Sequence, residues 1–379
     1  MNIGIEAQRV FRKKKHGMDM VALQLIRHLQ KIDRENRYFI FVNETEDPCI
    51  TPSENFEIVY LPKSPYPIWE QYHLAKAVKT YELDVLHCTS NTAPVNLPCP
   101  LVLTLHDIIY LEGLNWASGT WYQRLGNAYR RWNVPHVVPK AQKILTVSAF
   151  EQKTIANHFN SLPKDTLEVV HNGVNEHFAP VEAEVQEKVR KKYGLPERFI
   201  LFLGNTDPKK NLKGVLQALN MVEKQDKLTL PLVMPDFGEE ALTGLLKSIN
   251  ASSLGKHIHL TGYIPNQDLP AIYAKALFFL YPSIRESFGL PILEAMACGC
   301  PVISSNTSSM PEIAGDAALL IDPFAPQDLA NAILELLEKP ELRQELIEKG
   351  FQRPPLFSYE RGAEKVLSIY EGIGDYVRK

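Results

Sequence analysis

The sequence predicts an α/β protein made of two doubly wound domains, and three observations lead there. At 379 residues the chain is longer than one ordinary hydrophobic core accommodates. Short apolar runs alternate with amphipathic stretches from end to end, the pattern of parallel strands covered on both faces by helices. The alternation breaks once, at Asn172-Gly173 with Pro180 close behind, and so falls into two halves.

In the first half the strand candidates are "NIGIE", "RYFIFV", "FEIVYL", "DVLHC", "LVLTL", "KILTV" and "LEVVH". Helical patterns such as "MDMVALQLIRHLQKI" and "PIWEQYHLAKAVKTY" lie between them. The second half repeats the scheme with "RFILFLGN", "LTLPLVM", "HIHLTGY", "LFFLYPS", "PVISS" and "AALLID". Glu182 to Tyr193 reads as a charged surface helix, and the tail reads as a last helix with Ser358 at its N-cap. The expected domains are 1–175, 176–357 and a closing helix over 358–379 that packs back toward the first domain. In such sheets ligands bind beyond the carboxyl ends of the strands, so the chemistry is sought there.

Composition narrows the class. With 45% hydrophobic and 22% charged residues the chain is globular, and a net charge of −3 argues against a dedicated nucleic-acid binder. Five cysteines form no disulfide framework and point to reduced thiols in a cytosolic protein. The N-terminus turns polar after six residues, unlike a signal peptide, and no apolar run approaches ~18 residues. The expectation is a soluble or peripheral protein.

The segment "SIRESFGLPILEAMACGCPVISS" carries the strongest chemistry. Gly289 permits unusual backbone angles and Pro291 suits a first helical position, so a helix is expected from Pro291 to about Cys298, ended by Gly299 and Pro301. Free N–H groups at such a start attract anions. Glu286 precedes the turn, where simple surface exposure is the other reading. Glu294 lies one turn inside, where the helix dipole alone would favour it. In "FLGNTDPKKNLKGVLQAL" a buried strand ends at Gly204, and Lys209, Lys210 and Lys213 stand near a helix start. Cations there oppose the dipole; a bound anion resolves the conflict, and a solvated lysine cluster is the alternative. His106 and Asp107 follow the buried strand of "LVLTLHDIIYL", and Gly17 stands before the first long helix. No Walker loop, Gly-x-Ser-x-Gly elbow or Asp-x-Asp metal pair is present, and Cys298-Gly-Cys300 lacks the partner pair of a zinc site.

Together these pieces resemble the retaining glycosyltransferases of family four, the group 1 glycosyltransferases. Their GT-B fold has two facing Rossmann-like doubly wound domains with the active site in the cleft between them. The resemblance covers nearly the whole chain and is most specific in "DPKKNL", "YPSIRESFGLPILEAMACGCPVISS" and "SSMPEIAGDAALLIDP". Glu286 and Glu294 match the family's paired glutamates, with Gly289, Pro291, Ala295, Gly299 and Pro301 in register. The resemblance implies an N-terminal acceptor domain and a C-terminal nucleotide-sugar domain. It implies that Glu294 holds the ribose, that Glu286, beside Ser287, contacts the donor sugar, and that the amides of Phe288, Gly289 and Leu290 meet sugar and diphosphate. Lys210 pairs with the diphosphate, with Lys209 nearby; Tyr263 and Ile264 fall where the base is contacted. His106 joins Lys210 and Glu286 as a catalytic residue, Gly17 lets its loop close over the phosphates, and Asp107 and Trp116 are acceptor-side candidates. Many relatives carry arginine where Asn205 stands, which shifts phosphate charge onto the lysines; Ser287 and the lone Gly17 also depart from the common pattern.

The function implied is transfer of a hexose, mannose among the options, from a nucleotide-diphosphate sugar to a hydroxyl of a glycan or lipid-linked acceptor. Stereochemistry is retained, and neither metal nor other cofactor is expected. The alternatives are a GT-B-like epimerase or a catalytically silent sugar-nucleotide-binding protein; the presence of His106, Lys210 and Glu286 together argues against silence. The basic residues Arg9, Arg12, Lys13, Lys14 and Lys15, with Trp116, Trp121, Tyr122 and Trp132, raise the expectation of peripheral contact with an anionic membrane from the cytoplasmic side.

Overall fold

The computed structural model describes residues 1–13, 15, 17–43, 47–112, 121–204 and 207–377, with the backbone alone at 121–123 and 376–377. Lys14, Trp116 and Asn205 therefore lie outside the described residues. The chain divides into two compact units, Met1–Gly173 together with Ser358–Lys379, and Val174–Phe357.

The first unit is built on the strands β1 (Asn2–Glu6), β2 (Arg37–Asn43), β3 (Phe56–Leu61), β4 (Val85–Cys88), β5 (Leu101–Thr104), β6 (Lys143–Thr146) and β7 (Leu167–Val169). They form one sheet in the order β3-β2-β1-β4-β5-β6-β7, and every adjacent pair is parallel. Each of the seven apolar runs of the first half is a strand. Both faces are covered, which is why the runs are apolar throughout instead of alternating. Gly4, central in β1, is sterically required: a Cβ there would stand 2.3 Å from Leu83 Cδ1.

The closing helix, Tyr359–Val377, belongs to this unit and packs on the helix Gly17–Ile32. Ser358 caps it, its Oγ accepting the Arg361 amide at 3.2 Å. Val366, Tyr370 and Ile373 bury their side chains in the core with Ile3, Ile5 and Val102, each apolar side chain contributing ~1.5–3 kcal/mol. The Tyr370 hydroxyl meets His87 Nδ1 at 2.6 Å, and His87 Nε2 meets Thr104 Oγ1 at 2.7 Å. Burial between those two hydroxyls drives the His87 pKa down to about 3. Residues 66–80 form the helix expected from the sequence, but its middle, Trp69–Leu74, is π-helical and carries Glu70 inward, fully buried.

The second unit contains β8 (Ile200–Phe202), β9 (Leu232–Met234), β10 (Ile258–Leu260), β11 (Phe278–Tyr281), β12 (Val302–Ser305) and β13 (Ala318–Ile321), ordered β10-β9-β8-β11-β12-β13 and all parallel. The six apolar runs of the second half supply these strands. The charged helix is Ala183–Lys192, close to its expected limits. Among the described residues no helix is long and apolar enough to cross a membrane.

Candidate active site

Strand order reverses in the second unit between β8 and β11, where a doubly wound sheet opens a crevice at the carboxyl ends of its strands. The loop after β8 carries Lys210 and the loop after β11 carries Glu286. Their side chains form an ion pair, Lys210 Nζ to Glu286 Oε1 at 2.6 Å, with side-chain exposures of 19% and 13%. Lys210 also donates to the Tyr281 hydroxyl at 3.3 Å and lies over that ring, 5.1 Å from its centroid. Tyr281 ends β11 and is buried, so it forms a fixed wall behind the lysine.

The lysines differ from the sequence expectation in one respect. Lys209 and Lys210 lie in a separate 3-10 turn, Pro208–Lys210, ahead of the helix Leu212–Glu223. Asp207 caps that turn, accepting the Lys209 amide at 3.1 Å, and its carboxylate lies 3.6 Å from Lys209 Nζ. Asn211 then takes a left-handed conformation, φ 59°, and its Nδ2 donates to the carbonyls of Pro282 and Pro323 at 3.2 and 2.7 Å. Gly214 makes room for that amide, since a Cβ there would come within 2.5 Å of Asn211 Oδ1. The Lys209 carbonyl accepts from Ile284 N at 2.7 Å. These bonds join the two loops, and Lys210 meets Glu286 because of them. Lys213 is exposed and stands apart.

The second glutamate lies on the helix Leu290–Ala297, which begins one residue before the position expected. Gly289 precedes it with φ 105°, an angle that glycine alone adopts readily. Within the first turn Pro291 has no N–H and Ile292 N already donates to the Gly289 carbonyl at 3.0 Å, so what this helix start offers an anion is chiefly the positive end of its dipole, four residues after Glu286. Glu294 accepts from the Tyr273 hydroxyl at 3.3 Å, and burial raises its pKa to about 7. Tyr263 is 68% exposed and Ile264 buried, both on the loop after β10, two strands away from β8.

In the first unit His106 is buried just beyond β5. The Asn91 side chain accepts its amide at 2.7 Å, and Asn91 itself has φ 68°. His106 Nε2 lies 3.0 Å from the Thr89 carbonyl, which can only accept, so Nε2 carries the proton. Burial lowers the His106 pKa, leaving a neutral ring whose Nδ1 keeps a lone pair. Asp107 turns back on its own chain and accepts from Ile109 N at 3.2 Å. Gly17 is exposed as the first residue of its helix, and a Cβ there would meet nothing within 4 Å. Lys15 of the basic run pairs with Asp47 at 2.5 Å and also binds the Arg12 carbonyl.

Sequence reasoning missed Tyr281, Tyr273, Asn211 and the serines after β12. Asn211 left a faint trace, since asparagine before a helix tolerates left-handed angles. The others act across gaps in sequence that no local pattern reveals.

Residues 16–178 match the model of Glycosyltransferase Family 4, and residues 185–353 match that of Glycosyl transferases group 1. The O-antigen chain mannosyltransferase B of Escherichia coli is 32% identical over 244 residues, 64% of this chain and 64% of that protein. The chain thus spans less than two thirds of that relative's length, and 28% to 35% of longer E. coli mannosyltransferases that it also matches. The fold is shared with the sucrose-phosphate synthase of Thermosynechococcus elongatus, with a TM-score of 0.73, 20% identity and 99% of each chain covered. It is shared equally with Anabaena HepE, solved with UDP and glucose, at a TM-score of 0.73 and 18% identity, covering 98% of this chain and 100% of that one. The chain belongs to the group 1 glycosyltransferases, glycosyltransferase family four, and its two parallel-sheet units are the Rossmann-like pair of the GT-B fold.

Proposed function

We propose that this chain transfers a hexose, mannose in the first instance, from a nucleotide-diphosphate sugar to a hydroxyl of a glycan or lipid-linked acceptor, retaining the anomeric configuration and using no metal. The observation that carries this reading is the Lys210–Glu286 pair immediately before the helix Leu290–Ala297. Cleaving a sugar–diphosphate bond builds positive charge at the anomeric carbon and negative charge on the leaving group. A lysine and the positive end of a helix dipole, fixed before reaction, stabilise that negative charge without reorganisation. Glu286 accepts hydroxyls of the sugar, and Glu294, inside the helix, takes the ribose. With one glutamate committed to the nucleotide, a double displacement through two carboxylates is not expected, and transfer proceeds on the face that the diphosphate leaves. His106 contributes its Nδ1 lone pair as an acceptor for a hydroxyl. Mannose is favoured by the mannosyltransferase names of the E. coli relatives.

A thermal-shift series with GDP-mannose, UDP-glucose and their free diphosphates tests the reading. A ligand at 100 times its dissociation constant stabilises by ~2.7 kcal/mol. Stabilisation by one sugar nucleotide, followed by transfer that persists in EDTA, is expected; no response to any of them would sink the proposal. A peripheral membrane contact fits the helix Trp121–Val137, which has no acidic residue and exposes Leu125 and Trp132 among Arg124, Arg130 and Arg131. Co-sedimentation equal on anionic and neutral liposomes would remove that part alone.

A further inference from the structure

We propose that Ser308 and Ser309 are positioning residues, whose hydroxyls hold the Glu286–Phe288 turn so that Glu286 stands against Lys210 at the start of the helix Leu290–Ala297. The inference rests on the reading above for its catalytic meaning, and on geometry for the clamp itself. β11 and β12 pair as far as Tyr281 and Ser304, and among the described residues no backbone ladder continues past them. Side-chain hydroxyls replace it. Ser304 Oγ donates to the Tyr281 carbonyl at 3.0 Å, Ser305 Oγ to that of Ser283, and Thr307 Oγ1 to that of Ile284 at 3.1 Å.

The last two serines close on the glutamate itself. Ser308 Oγ donates to the Glu286 carbonyl at 2.5 Å and accepts the Glu286 amide at 3.1 Å, so one hydroxyl occupies both backbone groups of that residue. Ser309 Oγ, fully buried, lies 3.0 Å from the Glu286 carbonyl and 2.8 Å from that of Phe288. Ser308 has φ 59°, a conformation that glycine adopts more easily. What serine adds at that position is its hydroxyl.

The backbone angle supplies a clean test. Ser308→Gly deletes the hydroxyl while easing the chain, so the variant keeps its fold; Ser309→Ala removes the second clamp. Amide exchange over residues 284–290, the melting midpoint, GDP affinity, and kcat and KM with GDP-mannose are measured for both. The expected result for Ser308→Gly is exchange faster by about tenfold or more in that segment alone, with the midpoint not lowered. With it, kcat falls about tenfold and the donor KM changes by less than about threefold, the signature of a contact realised in the transition state. Unchanged exchange in both variants overturns the clamp, and faster exchange with unchanged kcat overturns its positioning role. A wild-type protein that neither binds nor turns over sugar nucleotides fails the transferase reading instead, and the exchange measurement still decides the clamp.

Discussion

Each unit reverses its strand order once, and the two reversal points are furnished in opposite ways. In the first unit the reversal lies between β1 and β4. Glu6 ends β1 fully buried, its oxygens taken by the amides of Gln8 and Thr89 at 3.1 and 3.3 Å. In the same unit Glu70, also fully buried, accepts from Thr92 and Tyr129, each at 2.5 Å, and from Gln71 at 2.9 Å. Neither carboxyl makes an ion pair among the described residues, and burial raises the pKa of both, that of Glu70 to about 7. In the second unit the reversal holds Lys210 against Glu286, and both keep part of their surface in solvent. The first arrangement is closed: hydroxyl and amide donors satisfy carboxyls that have no exposed surface. The second is a pair of opposite charges that an incoming anion and a sugar hydroxyl can share. Equivalent points in one fold thus serve cohesion in one unit and, on our proposal, chemistry in the other.

The largest effect should come from breaking the open pair. Lys210→Ala removes the cation nearest the helix start and leaves Glu286 without its partner. Transfer should fall by about 100-fold or more, the scale of losing one fixed donor to a developing anion. Affinity for GDP should drop about tenfold or more, since a charge-assisted contact contributes ~1.5–3 kcal/mol. Calorimetry and a transfer assay on the same preparation check both numbers. If each stays within about twofold of wild type, the second reversal point is not where the diphosphate binds.

Much of this contrast was legible in the sequence, and what was not has a common cause. All the apolar runs became strands because a fully buried parallel strand is written locally, in consecutive residues. The Gly289-Leu290-Pro291 helix start and the Ser358 cap were legible for the same reason. The lysine pair was placed within one turn of its true position; the intervening bend at Asn211 depends on carbonyls of Pro282 and Pro323, far along the chain. Glu6 and Glu70 gave no signal at all. Their burial depends on Thr89, Thr92 and Tyr129 arriving from other elements, and on a π-helical segment that no periodicity marks. The same holds for the hydroxyls of Ser308 and Ser309, which look like ordinary loop residues until β12 is set beside β11. Asn205 and Trp116 lie outside the described residues.

A smaller effect should separate the two glutamates of the open site. Glu294 lies within the helix, and among the described residues its side chain binds only the buried Tyr273 hydroxyl, so its loss should weaken free GDP and intact GDP-mannose alike, by about tenfold. Glu286 lies before the helix and, on our proposal, acts on the sugar. Glu286→Gln, which keeps an acceptor for Lys210, should bind free GDP nearly as wild type while kcat falls about tenfold or more. Equal losses of GDP affinity in both variants would show that the two carboxylates share one role.

The last expected effect concerns the closed side, away from the chemistry, and is a slope in stability with pH. Glu70 has its pKa raised to about 7 by burial, whereas in the unfolded chain it titrates near ~4.3. Between those values the native state binds the extra proton, so this group's contribution is full below ~4.3 and is lost as pH rises toward 7. His87, its pKa lowered to about 3 by burial, acts in the opposite sense. The unfolded chain takes up its proton below ~6.5, so that contribution is full above ~6.5 and is lost as pH falls. Over the shared window, from about pH 4.3 to 6.5, the two slopes oppose each other, each at ~1.4 kcal/mol per pH unit. Glu70→Gln deletes one of them and leaves the other. The stability difference between the variant and wild type should therefore move in the variant's favour by ~1.4 kcal/mol for each pH unit gained across that window. Urea unfolding of both proteins at several pH values measures it, and a difference that stays flat would mean that Glu70 is ionised inside the folded unit. The closed cluster would then be an unpaired buried charge, and the contrast between the two reversal points would lose its physical basis.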